Sequence, residues 1–437
     1  MRSSGRLLTV GTLGLALMVA AVAVPEVASG SSSVPGLTAT QVNIGAIVTQ
    51  SGSVAADFAP YLAGVNAYFD YVSKDLGGVN GRKIVLTNAL DDASDPSTDI
   101  TDARTLVTAD HVFAIVGIST AFFSASTYLG KTSVPVFGYA TQNVWAGPKN
   151  LFADGGSEVD FDSSVPDFAY VAHKTKSTRV AVVALDYPSS QDECKGAVTG
   201  LRTYGIKVVY SNLDEPIFNQ TFSTDVTKIK SANADMVITC MDVDSSVLLS
   251  KTMQLDGYTP AAQMWLDGYD RNILKNDAQY MKNTYFMLQH VPYELAAAYP
   301  AVFPGMSLYF QSMAKYGYSS NEFSDVALQG WEGANTFVEG LRAAGKHPTQ
   351  ASVVAAINKI KSDTAGGIVG PINWTIAHSK VTSPSCVSFV ETSGTSTSSA
   401  SFVPAFNKGS DPWVCFPLGK KANLNAPVAA PAGTPGA

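Results

Sequence analysis

The chain has 437 residues, of which 46% are hydrophobic and 15% charged, with a formal net charge of −7. That length exceeds one ordinary core and fits two domains, and the apolar fraction excludes a mainly disordered chain. An acidic, sparsely charged surface argues against nucleic acid as a partner.

In chain order, Arg2 and Arg6 precede the apolar run LLTVGTLGLALMVAAVAV, and the small residues ASGSSS follow. A charged start, an apolar stretch and a small-residue exit predict a secretory signal over residues 1–30, cut near Ala28–Ser33. The mature protein is then expected in the periplasm or at the cell surface. A membrane anchor is the alternative reading, since about 18 apolar residues can just span a bilayer. No cysteine lies there to carry a lipid. Residues 31–40 read as a linker.

Short β-branched or apolar runs at 42–48, 83–90, 112–117 and 133–138 predict strands, each followed by a segment of helical period. The first such helix is expected over 57–76. Leu62, Val65, Phe69 and Val72 form its apolar face, Asp57 is a candidate cap, and Gly77-Gly78 a stop. GGVNGRKIVL therefore reads as helix stop, turn and second strand of a βαβ unit, whose right-handed crossover needs a compact return. The alternation restarts after about residue 157, with strands expected at 179–185, 206–210, 235–240, 263–266 and 284–290. The regions 301–316, 323–345 and 349–361 read as helical, and 366–418 as richer in strand and turn. Two βαβ blocks make an α/β protein of two domains, and the late helices suggest that the chain re-enters the first. The Ala/Pro/Gly-rich residues 419–437 are expected to be disordered.

The four cysteines, Cys194, Cys240, Cys386 and Cys415, are even in number in a chain expected to be exported, so disulfides are the first reading. Sequential pairing is one of three connectivities, and Cys386–Cys415 is the favoured bridge. Buried free thiols are the alternative for the first pair. Their spacing fits no zinc pattern, and no metal or cofactor is expected.

GxSxG, HExxH and GxGxxG are all absent, and Gly130-Lys131-Thr132 lacks the upstream glycine of a phosphate loop. The five histidines do not pair at ligand spacing. Asp91, Asp92 and Asp95 read as a solvated turn that caps the next helix, because no Gly and Glu follow at calcium-loop spacing. Hydroxyls at strand ends stand out instead: Ser51 and Ser53 in VTQSGS, Ser119 and Thr120 in IVGIST, Tyr139 and Thr141 in VFGYAT. In an open α/β sheet these loops converge on one crevice, where helix N-termini suit a carboxylate.

The chain resembles the type I periplasmic solute-binding proteins, the leucine-binding-like branch of ABC transporters. The resemblance rests on VNIGAIVTQSGS, GGVNGRKIVLTNALDDASDP, FAIVGIST, VPVFGYAT, FSDVALQGWEGANTFVEGLRAAG and GPINW, over residues 41–390. It implies two Rossmann-like lobes joined by three crossovers, with the ligand cleft between them. Lobe one would comprise 41–157 plus about 291–370, and lobe two 158–290 plus about 371–418. It further implies that Ser119, Thr120, the backbone of Tyr139, and Thr141 hold a ligand carboxylate. On lobe two it implies contacts near Tyr187, Ser189 and Asp242, with Asp267 as counter-ion to an ammonium and Tyr269 beside it. A small-molecule ligand and a membrane permease are the implied partners, and a monomer is expected. An α/β hydrolase is disfavoured by the lack of a nucleophile–base pair. An extracellular sensor of the same fold is the remaining alternative.

Overall fold

The computed structural model describes residues 34–140, 142–154, 166–217, 221–378, 386–394, 396, 398–417 and 421–437, with Met1 and Gly5. The expected signal segment, apart from those two residues, and Thr141 lie outside the described residues.

The β-branched runs form two sheets. The first holds β1 (Gln41–Val48), β2 (Lys83–Leu90), β3 (Ala114–Ser119), β4 (Val136–Gly138) and β5 (Leu151–Ala153), in the order β2-β1-β3-β4-β5. All its pairs are parallel. Every residue of β3 is buried, as expected for a parallel strand covered on both faces. The second sheet starts with β6 (Arg179–Leu185), β7 (Lys207–Glu215), β8 (Met236–Cys240), β9 (Ala262–Trp265) and β10 (Thr284–Leu288), in the order β7-β6-β8-β9-β10. It is extended by β11 (Cys386–Ser393) and β12 (Ser401–Ala405), both antiparallel, and β13 (Val414–Cys415) pairs with β11. Strand order reverses between β1 and β3 in one sheet and between β6 and β8 in the other. At such switch points the loops after the strands splay apart and leave a crevice.

After β10 the chain leaves the second sheet. Helices Pro304–Tyr316 and Asp325–Ala343 pack on helix Tyr61–Asp70 of the first lobe. Glycines set the closeness of that crossing. A Cβ on Gly64 would lie 1.7 Å from the Ala327 carbonyl oxygen, and one on Gly330 2.0 Å from that of Tyr61. Between β10 and β11 the chain thus visits lobe one and returns to lobe two.

The expected helix over 57–76 is instead two pieces, Ala55–Phe58 and Tyr61–Asp70, the second running into a wide turn at Tyr71–Asp75. Pro60 has no N–H to give and interrupts the ladder. Gly77 and Gly78 take positive φ, 74° and 88°, and a side chain on Gly78 would strike the Arg82 carbonyl. Cys194 is joined to Cys240 and Cys386 to Cys415, the sequential pairing.

Residues 421–437, within the tail expected to be disordered, make contacts with lobe two. Val428 N donates to Cys415 O at 2.9 Å, Ala422 N to the Tyr204 hydroxyl at 2.9 Å, and the Trp413 indole to Pro435 O at 2.7 Å. A segment without periodicity can be held by the free edge of β13 and one buried indole N–H. Among the described residues, no helix is long and apolar enough to cross a membrane.

Candidate ligand-binding site

The carboxyl ends of both sheets meet at a seam. Tyr139, just after β4, donates its hydroxyl to Asp267 Oδ1, just after β9, at 3.1 Å. Ser189, in the first turn of helix Pro188–Thr203 after β6, donates Oγ to Ala121 O after β3 at 3.3 Å. Val243 N, at the start of the helix after β8, donates to Asp57 Oδ1 at 3.3 Å. Phe122 of lobe one faces Tyr187 of lobe two with ring centroids 6.1 Å apart. Val54, Phe58 and Ala121 share an apolar cluster with Tyr187, Phe222 and Met241. Each contact joins one lobe to the other.

The ten sequence-derived candidates divide. Tyr139, Tyr187, Ser189 and Asp267 lie on the seam through the contacts above. Asp242 is buried beside Val243 and caps its helix by accepting from Ser245 N at 2.9 Å. Thr120 is buried, and its Oγ1 accepts from Phe122 N at 3.1 Å. Ser51 is exposed, and its N–H is held within lobe one by Asp91 at 3.3 Å. Thr141 lies outside the described residues.

Three candidates make other contacts. Ser119 is fully buried and donates Oγ to Phe58 O at 3.0 Å, so it ties β3 to a helix. Tyr269 is a core residue. Its hydroxyl donates to Glu294 at 2.7 Å and accepts from Tyr293 N at 2.8 Å, and its ring stacks on Tyr293 at 5.0 Å. The Tyr139 backbone N–H donates to Ile118 O at 2.8 Å and is not free for a carboxylate; the phenol is the group that reaches the seam. Strand alternation explains Ser119, since neighbouring positions at a strand end point to opposite sides.

Two acids escape the sequence reading. Asp57 is not a helix cap; it sits inside Ala55–Phe58, and its carboxyl crosses to lobe two. Glu193 is four residues after Ser189 on one helix, hence on the same face. That spacing is the signal by which it could have been found.

The electrostatics are one-sided. Burial pushes Asp267 up to about 7, with the charges of Asp325 and Asp242 adding and the Tyr139 hydrogen bond opposing. Burial, then Asp267 and Asp242, raise Asp57 well above the ordinary carboxylate range. Burial, then Asp267, Asp154 and Asp192, do the same for Glu193. None of the ion pairs among the described residues involves Asp57, Glu193, Asp242 or Asp267. Among the described residues, no three His, Cys, Asp or Glu side chains could together hold a metal ion. In the turn after β2, Asp95 caps helix Pro96–Thr108, Asp91 accepts backbone N–H groups, and Asp92 is buried and accepts from Thr49 Oγ1 at 2.6 Å.

Two lobes with a seam at their switch points match what comparison with known proteins finds. A family described as "Periplasmic binding protein" matches residues 41–395. The chain belongs to this family. Its fold is that of the type I periplasmic binding proteins. It is 28% identical over 197 residues, 43% of its own length, to "Leu/Ile/Val-binding protein homolog 7" of Brucella abortus (strain 2308). That match spans about half the relative, 49% of its length. A fatty acid ABC transporter substrate-binding protein from Thermomonospora curvata shares the fold with TM-score 0.70 at 16% identity, covering 86% of this chain and 95% of that one. The branched-chain amino acid transporter substrate-binding protein LivJ from Streptococcus pneumoniae, in complex with isoleucine, gives 0.65 at 19% identity over 84% and 100%. A solute-binding protein of an ABC transporter from Rhodopseudomonas palustris HaA2, in complex with p-hydroxybenzoic acid, gives 0.65 at 18% identity over 81% and 93%. The binding protein thus has a fold whose solved examples carry chemically different ligands.

Proposed function

We propose that this binding protein is the exported receptor of an ABC transporter, closing its lobes on an amino acid and delivering it, as a monomer, to a membrane permease. The family supports solute capture, and the apolar, Arg-led first residues support export. The solved proteins of this fold include complexes with isoleucine and with p-hydroxybenzoic acid and a fatty acid transporter's binding protein, so likeness of fold does not choose among them.

The observation that carries the ligand class is the Tyr139–Asp267 pair across the seam, in a cleft whose acids have no cationic partner among the described residues. A buried carboxylate without a cation costs several kcal/mol, and a ligand ammonium removes that cost. In this reading Asp267 pairs the ammonium, with Asp242 as neighbour. Tyr139, Tyr187 and Ser189 line the lobe boundary, and Thr120, Thr141 and Ser51 are the lobe-one candidates for the carboxylate end. Closure is a hinge motion in which each lobe supplies part of the contacts.

A thermal-shift panel of amino acids, fatty acids and aromatic acids tests it, because a solute that binds only the folded form stabilises it by RT ln(1 + [L]/Kd), about 2.7 kcal/mol at 100 Kd. The reading expects the largest shift from an amino acid. Shifts from fatty or aromatic acids alone would overturn it.

A further inference from the structure

The two strands that flank the switch point of the second sheet, β6 and β8, are paired neighbours as far as Ala184 and Cys240. Beyond that point the chain diverges. β6 continues to β7 on one side and β8 to β9 on the other. Right-handed crossovers therefore send the helices that follow, Pro188–Thr203 and Val243–Leu255, to opposite faces of the sheet. The turns leading into those helices carry contacts to lobe one. In the first, Tyr187 faces Phe122 and Ser189 donates to Ala121 O. In the second, Val243 N donates to Asp57, and Met241 shares the apolar cluster of Val54 and Phe58.

Two turns that leave a sheet in opposite directions share no strand ladder, yet here they are tied across the divergence. Ser190 and Cys194 stand four residues apart on one helix, hence on one face. Ser190 Oγ accepts from Leu185 N at 2.8 Å and donates to Cys240 O, and Cys194 is bonded through sulfur to Cys240. Both links end on Cys240, one residue before Met241, and Ser190 and the two cysteines are buried. The matching place in lobe one carries a hydrogen bond, from Ser119 Oγ at the end of β3 to Phe58 O in the segment after β1. The other bridge, Cys386–Cys415, joins β11 to β13, away from the switch point.

We propose that Cys194–Cys240 is a positioning bridge for solute capture. It holds the turns at 187–190 and 241–243 as one rigid jaw of lobe two, so that neither has to be ordered when the cleft closes. A jaw set in advance avoids an ordering cost that binding otherwise bears. The inference rests on reading the seam as the ligand site, and goes beyond it by giving the bridge a role in affinity as well as in stability.

Hydrogen exchange of the solute-free protein tests it, comparing wild type with Cys194→Ala/Cys240→Ala and with Cys386→Ala/Cys415→Ala. Loss of the first bridge should speed exchange of the amides at 187–191 and 243–246 by about tenfold or more while β6 and β8 stay protected. Loss of the second should leave those amides unchanged. Titration calorimetry with leucine, lysine and 4-hydroxybenzoate gives a readout that a purely structural bridge would not move. A solute that binds wild type should bind Cys194→Ala/Cys240→Ala about tenfold or more weaker, and Cys386→Ala/Cys415→Ala equally well. Equal exchange at the two turns in wild type and Cys194→Ala/Cys240→Ala would overturn the proposal, as would equal affinity. Exchange that rises uniformly across lobe two, or a lobe two that fails to fold, would also overturn it, because the bridge would then hold the lobe and not the turns. The exchange measurement needs no solute. It decides the bridge even where none of the three binds, a result that counts against the reading of the solute and not against the bridge.

Discussion

Closing the empty cleft should consume protons, and pH is therefore the perturbation that reports on the seam acids. Asp267 has an ordinary value of 3.8 when hydrated and about 7 where the lobes meet. A group whose value is raised in the closed form favours closure at low pH, and that contribution is lost as pH rises through about 7. Below 3.8 the acid is protonated in both forms and costs nothing. Between the two values each pH unit adds about 1.4 kcal/mol against the empty closed form. The swing from pH 5 to pH 7 is about 3 kcal/mol, roughly a hundredfold in the closed-to-open ratio. Asp57 and Glu193 are raised in the same sense and strengthen the trend, as do the charges of Asp242 and Asp325; the Tyr139 hydrogen bond opposes it. Small-angle scattering of the ligand-free protein from pH 5 to 8.5 measures it. The radius of gyration should rise with pH, and less so in Asp267→Asn. A radius that is flat or falls as pH rises would refute the reasoning.

Other outcomes follow from particular contacts. Gly330→Ala forces a Cβ to within 2.0 Å of the Tyr61 carbonyl oxygen and should cost about 3 kcal/mol in urea unfolding, since neither backbone can yield cheaply. Asp95→Ala removes acceptors for Ser97 N and Thr98 N at 3.0 and 2.7 Å and should cost about 1 kcal/mol by the same assay. Replacing Cys194 and Cys240 by serine opens a loop with sequence separation 46 and should lower stability by about 4 kcal/mol on chain entropy alone. Deleting residues 421–437 should lower the melting temperature, because the Trp413 indole and the edge of β13 lose their partners; an unchanged melt would mean that these contacts are not made in solution.

Much of this architecture is legible in the sequence because parallel strands buried on both faces are unbroken apolar runs. The strand expected at 83–90 is Lys83–Leu90, and that at 179–185 is Arg179–Leu185. The three-residue strand Leu151–Ala153 was not seen, because its period is too short to register. Pro60 was read through, although a proline inside an amphipathic run marks a break. At the site, strand-end position located the loops but not the direction of each side chain. Ser119 and Thr120 are adjacent, yet Thr120 accepts from Phe122 N while Ser119 donates to the Phe58 carbonyl. Tyr269 follows Asp267 by two residues but is drawn into the core by Glu294 and Tyr293. Asp57 is not legible because its meaning exists only across the lobes: its carboxyl reaches a helix 186 residues away in sequence.

The central claim is that Asp267 is the counter-ion of a cationic solute held between the lobes. Calorimetric titration of lysine, or of the tightest amine found, into wild type and Asp267→Asn at pH 7.5 tests it most directly. The account predicts a loss of about 2–5 kcal/mol in binding free energy with the fold intact, as for removal of one partner of a buried charge pair. Equal affinities in the two proteins would contradict it.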